Sequence, residues 1–225
     1  EVQFHPWDKT YNFSVHDLQL IIGDYVILET KLGQEMGRVI GLKELTDAEV
    51  SALPEPLKPV IRKANKEDLE QALELKKNKT KIFNECKAII KKFGLPIKLV
   101  DVHFSFDDTR ITFAFIAEGR VDFRELLKEL NKTFKRIIRL QQIGIRDEIK
   151  ISGDIGACGR NLCCQSFFKD LGNITSDLAE VQQVAHRGSD RLSGVCGRLK
   201  CCLSYESKLY NELADNLPML GEKVK

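Results

Sequence analysis

A chain of 225 residues, 43% of them apolar, can bury the core of one large domain or two small ones without disulfide staples. Its 35 lysines and arginines stand against 33 aspartates and glutamates, and a formal charge of +2 excludes a function that relies on the field of the whole chain. No run of about 18 apolar residues marks a membrane span, and the opening EVQFHPWDKT lacks the regions of a signal peptide, so a soluble, cytoplasmic protein is expected.

Residues 1–53 read as a β-rich subdomain. The stretches LIIGDYVILET (Leu20 to Thr30) and QEMGRVIGLKEL (Gln34 to Leu45) are strand runs joined by a turn at Gly33, which predicts a small meander, barrel-like in outline. PEPLKP (Pro54 to Pro59) then places three prolines in six residues, too many for a ladder or a helix interior, and marks a boundary. Residues 54–96 form a linker and a helical region. Between Lys66 and Phe93, apolar residues at Leu69, Leu73, Ile82, Phe83, Cys86, Ile89 and Ile90 keep helical spacing, predicting one long amphipathic helix or a helical hairpin closed by Gly94. From Arg62 to Lys92 ten basic residues face five acidic ones. That excess suits a solvated helix face or a phosphate-contacting stripe, with Lys87, Lys91 and Lys92 as the candidate RNA-binding residues. Cys86 stands alone on the apolar stripe and is expected in the core.

Residues 97–150 are predicted to form an α+β core. Val100, Val102, Phe104 and Phe106 alternate with Asp101, His103 and Ser105, and Ile111 to Ile116 returns after a turn, giving a hairpin with one buried face. His103 falls on the polar face and reads as an ordinary surface histidine. Asp122 and Glu125 resemble a capping box ahead of a helix striped by Phe123, Leu126, Leu127, Leu130 and Phe134, and a third strand follows at Arg136 to Ile143. This β-β-α-β order, taken as antiparallel, completes an α+β fold. Residues 151–210 hold a duplicated cysteine region of helical character. Residues 211–225 read as the start of a truncated strand, and with no methionine at position 1 the chain is expected to be a fragment at both ends.

The strongest signal is a repeat. GACGRNLCC (Gly156 to Cys164) and GVCGRLKCC (Gly194 to Cys202) share the pattern G-x-C-G-R-x-x-C-C, which holds Cys158, Cys163, Cys164, Cys196, Cys201 and Cys202. Structural disulfides suit a secreted protein, and vicinal Cys163 and Cys164 have Cα atoms about 3.8 Å apart, below the usual disulfide range of about 4.4–6.8 Å. A dithiol redox site lacks its C-x-x-C. Thiolate coordination fits better, because soft sulfur ligands select zinc or an iron-sulfur cluster, and spacing leaves that choice open. Gly159 and Gly197 would allow tight turns carrying Cys158 and Cys196, with helices following near Asn161 and Leu199. Adjacent helical side chains diverge by about 100°, so one cysteine of each vicinal pair is expected to face inward and its neighbour elsewhere. Arg160 and Arg198 would lower thiol pKa values nearby, or else brace the turns. His5, His16, His103 and His186 show no pairing pattern, and no phosphate-binding loop is present, so no catalytic residues are assigned.

GDYVILET, GRVIG, LVDVHFSF, AEGRVDFRELLKELN, QIGIRDEIKISGDIGACGRNLCCQSF and LSGVCGRLKCCLSYE together resemble the YaaT/RicT family, whose shared region is the Psp-one C-terminal domain. The resemblance covers essentially the whole chain, although Phe168 to Arg191 departs from the family's usual wording. It implies a non-enzymatic bacterial regulatory subunit that joins RicA/YmcA-like and RicF/YlbF-like partners in a complex carrying iron-sulfur clusters of the 4Fe-4S kind. That complex is implicated in RNase Y-dependent messenger RNA processing, and through it in sporulation, competence and biofilm formation. In the family the six paired-motif cysteines are cluster ligands. A zinc-stabilised RNA-binding module and a thiol-disulfide enzyme are the alternatives.

Overall fold

The computed structural model describes every residue except positions 6, 7, 9, 16, 17, 31, 32, 47, 48, 50–55, 169, 170 and 215–225. His16, part of the proline stretch and residues 215–225 of the expected terminal strand segment therefore lie outside the described residues, while residues 211–214 of that segment are helical rather than extended. Backbone contacts divide the chain into two units, Glu1–Gly144 and Ile145–Lys225. The architecture is α+β.

The first unit begins with β1 (Val2–Gln3), β2 (Tyr25–Thr30), β3 (Gly33–Val39) and β4 (Val60–Lys63), paired antiparallel in the order β1-β3-β2-β4. The sheet is open rather than barrel-like, with β1 and β4 as edges, because β4 adds beside β2 instead of meeting β1. Its position past Pro59 also carries the N-terminal sheet beyond residue 53. Val26 and Leu28 pack with Val2, Val39 and Val60 on one face, while Ile27 is buried on the other. A run of three apolar residues is thus a strand covered on both sides.

Two helices follow, α1 (Lys66–Lys77) and α2 (Lys79–Phe93), broken at Asn78 where a single helix or hairpin was expected. α1 starts with a reciprocal capping box: Asn65 Oδ1 accepts the Asp68 amide and Asp68 Oδ2 accepts the Asn65 amide, both at 2.8 Å. α2 ends at Gly94 in the left-handed conformation, with φ 60°. It buries Ile82, Cys86, Ile89 and Ile90. Burial alone pushes the Cys86 thiol up to about 12, as expected for a core cysteine.

The second sheet contains β5 (Ile97–Phe104), β6 (Arg110–Ala117) and β7 (Ile137–Gln142), with α3 (Arg124–Phe134) between the last two. β5 and β6 pair antiparallel, but β6 and β7 pair parallel, correcting the all-antiparallel reading. A strand-helix-strand connection is long enough to return the chain to the same end of the sheet, which a tight turn is not. Val102, Phe104, Ile111, Phe113 and Ile138 meet Leu126 and Leu130 of α3 and the apolar stripe of α2 in the main core. Asp122 does not form the expected box. Its Oδ1 accepts the Arg124 amide at 3.0 Å and its carboxylate holds the Arg124 guanidinium, while Glu125 pairs with Lys128.

The opposite face of this sheet is polar yet sheltered. Asp101, Ser105 and Thr112 are buried, and His103 Nε2 lies 3.1 Å from Glu35 Oε2 of β3. The His5 ring sits against His103, with centroids 3.8 Å apart. His103 is therefore not a surface histidine. Alternation correctly placed it on the polar face, but that face is covered by β3 and the N-terminal segment. Burial lowers His103 to about 4, partly offset by Asp101 and reinforced by Lys79 and Lys76. Burial also lowers His5 to about 2, aided by His103, and raises Glu35 to about 7.

The second unit is sparser. It contains α4 (Ile145–Ser152), two short helices α5 (Asp177–Val181) and α6 (Ser189–Leu192), and α7 (Cys201–Ala214). Among its described residues the buried apolar side chains are Cys164, Leu171, Ala179 and Leu203. Gln182 Nε2 donates to the Leu203 carbonyl at 2.7 Å and Ser204 Oγ to the Leu171 carbonyl at 3.3 Å, fixing α7 to the preceding segments.

Candidate metal centre

The two copies of the cysteine motif begin with the same local fold. Ile155 bridges Asn161, and Ser193 bridges Leu199, each antiparallel. Inside the first bridge, the Gly156 amide donates to the Arg160 carbonyl and the Gly159 amide to the Gly156 carbonyl, both at 2.8 Å. In the second, Gly194 donates to the Arg198 carbonyl at 2.8 Å and Gly197 to the Gly194 carbonyl at 2.9 Å. Each copy is a small hairpin closed by a tight turn and a left-handed residue. Gly159 and Gly197 occupy that last position, with φ 76° and 72°, and the turns present Cys158 and Cys196. No atom would obstruct an added Cβ at either glycine, so the requirement is conformational rather than steric. Gly197→Ala is accordingly expected to cost about 1–2 kcal/mol, read as a lower denaturation midpoint of the second unit with the first unit unmoved.

Beyond the vicinal pairs the two copies diverge. In the second copy Cys201 opens α7, a helix of 14 residues anchored by buried Leu203. In the first, the amides of Gln165 and Ser166 return to the Leu162 carbonyl at 3.0 and 3.1 Å, giving helical turns without a full helix. Exposed Gln165 stands there in the place of the buried anchor Leu203, so nothing apolar at that position holds further helix in place.

All six motif cysteines line one cavity of about 280 Å³ within the second unit. Both members of each vicinal pair belong to this lining, where one was expected to face inward and its neighbour elsewhere. Divergence by about 100° separates neighbours around a single ion, but a wider cavity takes both. All seven cysteines are free thiols. Among the described residues, no three His, Cys, Asp or Glu side chains stand close enough together to hold one ion. Four sulfurs on one zinc, each about 2.3 Å from it, would be only about 3.8 Å apart.

Electrostatics join the two copies. Burial and then Cys202, Cys163 and Cys164 push the Cys201 thiol up to about 11. Cys202 is raised by burial, then by Cys163, Glu206 and Cys158. Cys164 is raised by burial and by Cys196, against the lowering influence of Lys150 and Arg146. Influence crosses between the copies: Cys158 acts on Cys202, Cys196 on Cys164, and Cys163 on Cys201. Burial that keeps Cys164, Cys201 and Cys202 protonated would be offset by a bound cation, which draws protons off thiols and replaces them with coordination. The donor set therefore fits a thiolate-held metal group, with all six cysteines available as ligands.

Arg160 and Arg198 contribute differently from a pKa-lowering role. Their backbone carbonyls close the hairpins, while their side chains are exposed. The basic groups that bear on Cys164 are Lys150 and Arg146, one turn apart on α4. Arg146 lines the cavity and its Nη2 donates to the Leu199 carbonyl at 3.3 Å. Lys150 pairs with Asp147 at 3.0 Å. Their i, i+4 spacing in IRDEIK was a legible signal, had the helix been placed beside the motif. Lys87, Lys91 and Lys92 are exposed on α2 of the first unit, opposite its buried stripe, and do not line the cavity.

A chain with this cavity has relatives among known proteins. The PSP1 C-terminal conserved region matches residues 58–143, and the third domain of PSP1-like proteins matches residues 173–217. The chain is 40% identical over 223 residues to the stage 0 sporulation protein YaaT of Bacillus subtilis, covering 99% of this chain and 80% of that one. It is 26% identical over 144 residues to an uncharacterized protein of Schizosaccharomyces pombe, covering 52% of this chain and 19% of that protein. Over 53 residues it is 43% identical to protein PSP1 of Saccharomyces cerevisiae, covering 24% of this chain and 6% of the yeast protein. No solved structure matches.

Proposed function

The chain belongs to the YaaT and PSP1 family, and from that premise we propose that it is a non-enzymatic regulatory subunit holding an iron-sulfur cluster in its cysteine cavity. The observation that carries this reading is that all six motif cysteines line a single cavity. A cluster interposes its own sulfides between several irons, so it suits ligands that line a space better than ligands that meet at a point. When bound, such a group supplies one-electron chemistry and sensitivity to iron and oxygen. The protein's own part is to bring two half-sites together, exclude water with apolar walls and supply fixed positive charge from α4.

The regulatory role rests on the kinship. The Bacillus relative carries sporulation in its name; on the proposed reading the partners are RicA/YmcA-like and RicF/YlbF-like proteins, and the process influenced is RNase Y-dependent messenger RNA processing. Thiols in excess of the four needed by a common cluster suit a centre that is completed or shared at an interface. Among the described residues no helix is long and apolar enough to cross a membrane.

Anaerobic purification with iron, acid-labile sulfide and zinc assays tests the cofactor. Iron and sulfide in equal amounts, with visible charge-transfer absorption, are expected. Stoichiometric zinc without sulfide would sink the cluster in favour of zinc. Co-purification with the two partner proteins, repeated after cluster removal, tests the assembly; unchanged complex formation would reject cluster-dependent regulation.

A further inference from the structure

The segment IGIRDE was conspicuous in the sequence but has no role in holding a cluster directly. In the structure its arginine opens α4 and reaches the cavity. Arg146 Nη2 donates to the carbonyl of Leu199, the residue that closes the second hairpin and lies two positions before Cys201. The same guanidinium acts on Cys164, which belongs to the first copy. One side chain from outside the repeat therefore addresses both copies, and Ile149, one turn further along the same helix, lines the same wall.

We propose that Arg146 is a positioning residue of the cysteine cavity: it ties the second half-site to α4 and fixes positive charge beside the thiolates of the metal centre. The charge role rests on the cluster reading, whereas the strut role does not. Arginine suits both because its planar fork can donate to a carbonyl while its charge remains permanent. Each thiolate brings negative charge into a cavity with apolar walls, and net charge and nearby donors set the potential of a thiolate-held cluster. Lys150, one turn on and anchored by Asp147, adds to that charge. A lysine at position 146 would keep the charge without the fork, which allows the two roles to be separated.

The test compares wild type, Arg146→Met, Arg146→Lys and, as a control on the exposed side of α4, Ile145→Ala, all purified anaerobically as full chains. Hydrogen exchange by mass spectrometry reads the strut. In Arg146→Met the segment Gly194 to Leu199 is expected to exchange on the order of ten-fold faster, as for loss of one charge-assisted hydrogen bond, while Gly156 to Asn161 stays as in wild type. Equal exchange in wild type and variant, or equal acceleration of both hairpins, overturns the strut. The midpoint potential after reconstitution with iron and sulfide reads the charge. Arg146→Met is expected to titrate at a more negative potential, and Arg146→Lys to return toward wild type while keeping faster exchange in the second hairpin. An unmoved potential in Arg146→Met overturns the charge role. A wild-type chain that takes up neither iron nor sulfide refutes the cluster reading and the charge role together, and the exchange pattern still decides the strut.

Discussion

Replacing Cys163 and Cys201 together with serine is expected to reduce bound iron and sulfide to less than about a tenth of wild type and to loosen the whole second unit. These two thiols correspond to each other in the two copies, repel each other directly, and each also faces the second vicinal cysteine of the opposite copy. Serine keeps the size but offers a hard, protonated oxygen to a soft metal. The structural effect follows from how little else holds this unit. Its described residues bury Cys164, Leu171, Ala179 and Leu203, whereas both apolar clusters of the chain lie in the first unit. In a region with so small a core, thiolate-metal binding energy would become folding energy on the proposed reading. Hydrogen exchange should therefore rise throughout residues 145–214 in the double variant while β5 and β6 retain their protection. Full iron content in the variant would remove Cys163 and Cys201 from the ligand set; protection unchanged after metal loss would show that the second unit stands on its own packing.

The first unit is expected to be most stable near pH 6.5 and to lose stability on acidification. Between pH 6.5 and 4.5, unfolding lets His5 and His103 take up the protons they refuse when buried, while Glu35 gives up the proton it keeps when folded. Two protons gained against one released leave a net uptake of one, so stability falls by about 1.4 kcal/mol for each pH unit downward. Below 4.5 the carboxyl is protonated in both states and no longer opposes the histidines, so the decline steepens until His103 itself protonates near 4. Above 6.5 only Glu35 contributes. Its raised pKa favours the folded state at low pH, and that contribution is lost as pH rises through about 7, giving a shallow decline on the alkaline side. Denaturant titrations across pH 4 to 8, monitored by amide signals of β5 and β6, check the shape. Glu35→Gln should steepen the acid limb toward about 2.7 kcal/mol per pH unit, since both histidines then act unopposed. A flat profile in wild type would mean that these groups are solvated in the folded chain.

The same residues show what could be read without the structure. Period-two alternation located both strands of the β5–β6 hairpin and placed His103 on the right face, because the pleat fixes which side a residue takes. What covers that face is a long-range fact: Glu35 lies 68 positions away in sequence. The direction of β7 was misjudged for a related reason, since periodicity reports a strand's faces and not its sense. At the cysteines, the motif fixed the hairpins through glycine's left-handed conformation, a local property. It could not reveal that both vicinal thiols share one cavity, because a rule about divergence from a point says nothing about the width of the space. Arg146 escaped attention because its partner carbonyl lies 53 residues later.

The crossed pattern of the thiols, with each hairpin cysteine facing the vicinal pair of the other copy, bears on how such a chain could arise. One copy alone encloses nothing. A protein with a single motif could complete the cavity only by meeting a second molecule, and the number of completed cavities would then vary with the square of its concentration at low abundance. Carrying both copies on one backbone, 38 residues apart, replaces that encounter with an intramolecular closure at high effective concentration. The duplicated chain is in this sense a dimer that cannot be diluted apart.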